Sequence, residues 1–223
     1  MRQSWTRSWG NRPVRVLEIG AGAERHAVYR GKAHVVGLDI SEKQLERHQH
    51  IDEKICADIE RYDLPPESFD VIVCWWLLEH LAQAAMVLNK CVDALRPDGV
   101  LVIACPNPIS LKGIITKYSP HWFHVMFYRY VYKFKDAGRN DQPPFATYLD
   151  PVLIPHNIQK FAANKNLAID FFHSFEGEQQ KIFRRRHRLF DIAFKFLDAL
   201  QERNLLCGMS VKDTDYIAIL RKT

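Results

Sequence analysis

Val16-Leu17-Glu18-Ile19-Gly20-Ala21-Gly22 decides the fold. The β-rich run over residues 14–19 ending in Gly-x-Gly predicts a buried strand followed by a tight turn. An acid closes that strand immediately before glycines that let a ligand approach the backbone, which is the grammar of a nucleotide-type pocket. A dinucleotide fingerprint needs a third glycine, three residues after the second, to pack its helix tightly beneath a pyrophosphate. That position is Arg25, so a nicotinamide-dependent oxidoreductase is disfavoured.

Working outward, β-rich runs recur at residues 34–40, 54–57, 69–75 and 100–105. Between them residues 41–50 and 79–95 carry helical patterns, and Arg96-Pro97-Asp98-Gly99 supplies a turn. Strands alternating with helices at this spacing predict a parallel α/β sheet. The alternation stops after Cys105. Residues 106–155 are aromatic and punctuated by prolines, and are expected to form an inserted lid or substrate-binding segment. It resumes with a helix to Asn164, a strand over 167–175, a long helix over 179–203 and a last strand over 216–221. The long helix would carry Ile182, Leu189, Ala193, Phe196 and Leu200 on one face. The expectation is one domain over residues 1–223, with about seven strands.

Composition sets the limits. At 223 residues, 47% hydrophobic and 26% charged, the chain can bury a real core and lies outside the disordered range. A net charge of +5 suits an anionic substrate or acidic lipid only weakly, and nucleic acid is not expected as a partner. Five scattered cysteines without a CxxC pair predict reduced thiols rather than disulfides or zinc. No signal-peptide or membrane-spanning run is present in the sequence, so the expected location is cytoplasmic.

Two further acids fall at strand ends. Val35-Val36-Gly37-Leu38-Asp39-Ile40 closes the second strand with a carboxylate 19 residues after Gly20, a spacing at which it accepts hydrogen bonds from ribose hydroxyls. The plainer reading of Asp39 is a helix cap before Ser41. Cys56-Ala57-Asp58-Ile59 closes the third, where a surface-loop Asp is the plainer reading. Residues 69–81, ending Leu78-Glu79-His80-Leu81, and Leu95-Arg96-Pro97-Asp98-Gly99-Val100-Leu101 follow. Together these stretches resemble the class I, Rossmann-like S-adenosylmethionine-dependent methyltransferases, small-molecule type, including those of quinone biosynthesis.

That resemblance implies a sheet of order 3-2-1-4-5-7-6 with the last strand antiparallel. It also implies methyl transfer from S-adenosylmethionine to a small or lipid-linked acceptor, most simply at oxygen. The family's pattern assigns Glu18, Gly20, Ala21 and Gly22 to the methionine part of the cofactor and Asp39 to the ribose. It places Ile40 beside the adenine, Asp58 and Ile59 at its amino edge, and Cys74 and Trp75 at the strand-four exit. Family members usually carry a further helix or two before strand one, whereas thirteen residues stand there in this sequence, so the segment after strand five is the expected cover. The rival outside enzymes is an inactive, methyltransferase-like scaffold.

His80 stands at the strand-four exit and is a candidate general base for a hydroxyl acceptor; it reads equally well as an anchor for its helix. Asn107, His121, His124 and Tyr128 offer polar groups on the inserted segment and are candidate substrate contacts. Residues 108–135 hold Lys112, Lys117, Arg129, Lys133 and Lys135 with no acid. This suits either peripheral contact with anionic lipid or a lid packed on its own domain. His121 and His124 lack acidic or cysteine company, so no metal site is expected. The Arg184 to Arg188 cluster reads as a solvated helix face before a phosphate site.

Overall fold

The computed structural model describes residues 13–22, 33–131, 133–139, 144–203 and 209–223. Seven strands form one sheet: β1 (Val14–Ile19), β2 (Ala33–Asp39), β3 (Glu53–Cys56), β4 (Phe69–Trp75), β5 (Leu95–Pro106), β6 (Leu167–Phe175) and β7 (Asp215–Lys222). Their order is β3-β2-β1-β4-β5-β7-β6, as the resemblance implied. β7 runs antiparallel to both neighbours while the remaining pairs are parallel. β2 and β4 flank β1 on opposite sides, so the chain reverses direction of growth there. The crevice beyond the carboxyl ends of β1 and β4 is the switch point at which open α/β sheets hold ligands.

The core explains the strand assignments. Leu17, Ile19, Val36, Leu38, Ile72 and Cys74 alternate onto one face, where α2 (Ala84–Ala94) contributes Val87, Leu88 and Cys91. Val16, Val35 and Val73 form a smaller cluster with Ile51 and Trp75 on the other face. At the opposite end of the sheet Asp70, fully buried, accepts from the Arg15 backbone N–H at 2.8 Å and from Arg96 Nη1 at 3.0 Å. One carboxylate thereby ties β1, β4 and the start of β5 together.

Several expectations need correction. The helix expected over 79–95 is a 3-10 turn at Leu78–His80 followed by α2. The Arg96 to Gly99 turn is contained within β5, as a bulge in which Phe69 pairs Leu95 and Val71 pairs Val100. The helix after β2 is short, α1 (Glu42–Arg47), with Ser41 as its cap. Residues 106–155 hold α3 (Leu111–Tyr118) and α4 (His121–Tyr130); α5 (Pro155–Asn164) follows. The single long helix is two, α6 (Glu178–Arg186) and α7 (Arg188–Glu202), broken at extended His187. Among the described side chains of these helices Phe194 is the buried one, whereas Ile182, Ile192 and Phe196 are exposed. The face predicted from Ile182 and Phe196 is therefore not the packed one. Arg25 and Cys207 lie outside the described residues.

Candidate functional site at the carboxyl edge of the sheet

The turn after β1 has the backbone its sequence demands. Gly20 and Gly22 have φ of 69° and 57°, the left-handed region that glycine enters at no steric cost. A Cβ on Gly20 would also lie 2.8 Å from Leu77 Cδ1. The Gly20 and Ala21 amides both donate to the Leu38 carbonyl, at 2.8 and 3.3 Å, hanging the turn on the end of β2. Glu18 is 1% exposed, and its Oε2 lies 3.7 Å from Nε2 of the equally buried His48.

Asp39 closes β2 and organises this edge. Its Oδ2 accepts from the Gly22 amide at 3.0 Å and its Oδ1 from the Ser41 amide at 2.8 Å. Capping of α1 falls to Ser41, whose hydroxyl accepts from Gln44 N–H at 3.4 Å. Asp39 is thus no helix cap: it locks the glycine turn to the β2 exit, and each carboxylate oxygen retains acceptor capacity. Beside it Ile40 is 74% exposed, an unusual setting for a large aliphatic side chain next to a nucleotide-type turn.

After β3, Asp58 Oδ1 accepts from Glu60 N–H at 2.9 Å, and its carbonyl accepts from Arg61 and Tyr62. Lys90, on α2, donates to the carbonyls of Ile59, Glu60 and Tyr62 at 3.3, 3.1 and 2.9 Å. One ammonium therefore holds the whole loop that presents Asp58. Ile59 and Cys74 do not present their side chains to the cleft: both are buried in the main core. Trp75 packs partly buried against the opposite face of the sheet.

His80 ends the 3-10 turn that follows β4. Its Nδ1 is 2.7 Å from the Ala146 carbonyl, and Phe145 meets its ring edge-on at 5.7 Å. A carbonyl only accepts, so Nδ1 carries the proton in the neutral ring and Nε2 bears the lone pair. Burial pushes the His80 pKa below the usual histidine value, partly opposed by the Ala146 hydrogen bond. The ring is thus anchored, and the same anchor selects the tautomer a base requires. Its neighbour Glu79 is buried among Cys105, Lys112 and Asp215, and desolvation raises its pKa to about 8. The Glu79 carbonyl also accepts from Tyr148 and Leu149.

The four candidate substrate contacts are not brought into one pocket. Asn107 is buried: its amide donates to the Asp213 carbonyl and its Oδ1 accepts from Ile109 N–H, so it pins the end of β5 beside β7. His124 Nε2 sits 3.0 Å from Ser119 Oγ, closing the corner between α3 and α4. His121 stands exposed in the first turn of α4, and Tyr128 is half-buried on the same helix. Among the described residues no group of three or more His, Cys, Asp or Glu could hold a metal.

The residues that pattern reading passed over are His48, Glu79, Lys90 and Asp215, which pairs at 3.3 Å with Lys112, a residue read only as part of the basic segment. Glu79 was adjacent to the flagged histidine within Leu78-Glu79-His80-Leu81. The others lie far in sequence from the groups they serve, so no local signal marks them.

Residues 17–103 match the family described as "Methyltransferase domain". A ubiquinone biosynthesis O-methyltransferase of Neisseria meningitidis serogroup C is 30% identical over 148 residues, 60% of this chain and 58% of the relative. The chain spans a little over half the length of the curated relatives it matches. An S-adenosylmethionine-dependent methyltransferase from Mesorhizobium loti superposes with a TM-score of 0.53 at 18% identity, over 94% of this chain and 91% of that one. The N-methyltransferase NodS from Bradyrhizobium japonicum, solved with S-adenosylhomocysteine, gives 0.50 at 15%, over 94% and 78%. Residues 17–103 thus match a methyltransferase domain, and the chain has the fold of solved S-adenosylmethionine-dependent methyltransferases, with their strand order and a glycine turn after the first strand.

Proposed function

We propose that the chain transfers a methyl group from S-adenosylmethionine to an oxygen of a small or lipid-linked acceptor, in the cytoplasm. One observation carries the cofactor reading: the glycine turn, the Asp39 carboxylate and the exposed Ile40 side chain converge at the sheet's switch point. These residues fit the group. The left-handed turn leaves the backbone bare for the methionine portion, Asp39 can accept from the ribose hydroxyls, and Ile40 offers an apolar surface for the adenine. Asp58, on the loop held by Lys90, faces the task of reading the adenine amino group.

When bound, the cofactor supplies an activated methyl on a sulfonium, so the protein's part is mostly in-line positioning of the acceptor. A hydroxyl acceptor must also lose a proton, and the base assigned to take it is His80, whose Nε2 carries the lone pair. Oxygen as the acceptor atom is supported by the printed name of the Neisseria relative. The lipid-linked option is supported by α3 and α4. Ile115, Tyr118, Trp122, Met126 and Tyr130 are all exposed there, in a segment bearing bases and no acid. Lys112 and Arg129 are committed inward, to Asp215 and to the Ala137 carbonyl, so Lys117, Lys133 and Lys135 are left to meet anionic headgroups.

The test is calorimetric titration of the purified chain with S-adenosylhomocysteine, with NADH in parallel. Saturable binding of the first alone supports the reading. Binding of NADH alone would replace it with an oxidoreductase, and binding of neither would favour a scaffold.

A further inference from the structure

Glu18 closes the strand beneath the glycine turn, and its surroundings show how a buried carboxylate is kept there. Two residues on from Val16, it faces the side of the sheet on which Val16, Val35 and Val73 pack with Ile51. Directly across on β2 stands Gly37, where a Cβ would collide with Ile51. The β2 residue directly opposite therefore places no side chain beside the carboxylate. His48, the residue that ends α1, brings Nε2 to 3.7 Å from Glu18 Oε2, with both side chains almost wholly buried. The His50 amide donates to His48 Nδ1 at 3.1 Å. An N–H donor requires a lone pair on Nδ1, so the proton of neutral His48 sits on Nε2 and faces the carboxylate.

A buried carboxylate is costly unless it is paired, and in a low-dielectric setting its field reaches further than in water. Resting on the cofactor reading above, we propose that His48 is a positioning residue. Its Nε2–H points at the Glu18 carboxylate from 3.7 Å, an electrostatic contact longer than a hydrogen bond, and orients it beneath the turn, so that this negative charge favours the ammonium of the cofactor's amino-acid portion. His48 does not touch the cofactor in this arrangement; it acts through Glu18. The adenine and ribose, held by the Asp39 side of the cleft, do not depend on it.

Two ligands and two near-isosteric substitutions test this. Glutamine places an amide N–H where Nε2 stood, whereas asparagine reaches only as far as Nδ1. S-adenosylhomocysteine carries the amino-acid portion, and 5′-methylthioadenosine lacks it. In His48→Asn, affinity for S-adenosylhomocysteine should fall about tenfold, as the buried carboxylate loses the N–H dipole that orients it, while affinity for methylthioadenosine stays within twofold. His48→Gln should recover most of the loss. In a Glu18→Gln background, His48→Asn should cost nothing further, because coupled residues are not additive.

A His48→Asn protein that binds both ligands as wild type does would overturn the proposal. Equal losses for both ligands would also overturn it, since they report a general loosening of the fold. If His48→Asn does not fold, the comparison passes to His48→Gln, whose selective retention of S-adenosylhomocysteine is required. Wild-type protein that binds neither ligand removes the cofactor reading itself, and this inference with it.

Discussion

Two neighbouring residues at the β4 exit carry opposite consequences of burial. Desolvation keeps the Glu79 carboxyl protonated up to about pH 8, against 4.5 when unfolded. Between those values the folded chain holds a proton that the unfolded chain has released, so stability falls as pH rises through that window and levels off above it. Glu79→Gln should flatten this slope, measured by denaturant unfolding between pH 5 and 8, with an effect on the order of a few kcal/mol. A slope unchanged by the substitution would show that Glu79 is not its source. His80 is shifted the other way, towards neutrality of the ring. The acid limb of the methyl-transfer rate should therefore lie below the ordinary histidine range. His80→Ala should lower turnover roughly a hundredfold or more, as for loss of a general base, with S-adenosylhomocysteine affinity nearly intact. Lost affinity or folding would make the Ala146 anchor its whole role. Sequence reading named His80 because the Leu78 to Leu81 pattern is distinctive, and passed over Glu79 because nothing local reveals that an acid will be desolvated.

At the scale of elements, legibility followed periodicity and chain punctuation. β1, β4 and β6 have the expected bounds, because Pro13 and Gly20 bracket the first, Ser68 precedes the second, and Asn166 and Glu176 bracket the third. α6 and α7 were read as one helix because Arg184 to Arg188 contains no proline or glycine. The break at His187 is supported by Phe183, which contacts the rings of both His187 and Phe190 at 4.5 and 4.8 Å across the corner. Helix α4 also reaches this corner, with Phe127 6.2 Å from Phe183. Its outer face, together with that of α3, is the surface proposed to meet lipid. Interfacial helices bind through buried apolar area plus attraction to anionic headgroups. Replacing Tyr118 and Trp122 by serine should therefore reduce sedimentation with phosphatidylglycerol vesicles several-fold without altering cofactor affinity. Wild type should bind neutral phosphatidylcholine vesicles weakly. Equal sedimentation of variant and wild type would return the stripe to a packed lid.

For the molecule as a whole, strand order was legible from a resemblance resting on roughly residues 14–107, and the matched domain covers 17–103. The antiparallel pairing of β7 with β5 and β6 sets the far half of the sheet. What the sequence could not supply was the long-range wiring: Asp70 to Arg15 and Arg96, Asn107 to Asp213, Lys90 to the Asp58 loop. Each joins residues 26 to 106 positions apart, where no spacing rule operates. A ligand seated among such elements stabilises all of them together. At a hundredfold excess over Kd, S-adenosylhomocysteine should add about 2.7 kcal/mol, a rise in melting temperature of roughly 5 to 10 °C for a chain this size. This is the thermal counterpart of the calorimetric titration.

Residues 144–150 are stitched to the β4 exit at three points: Ala146 to His80, and Tyr148 and Leu149 to Glu79. Position and protonation are thereby one variable. Lifting that strip away strips Nδ1 of its acceptor and lets the imidazole choose either tautomer. The tautomer that leaves Nε2 able to accept a proton is therefore held by the docking of residues 144–150 on the β4 exit.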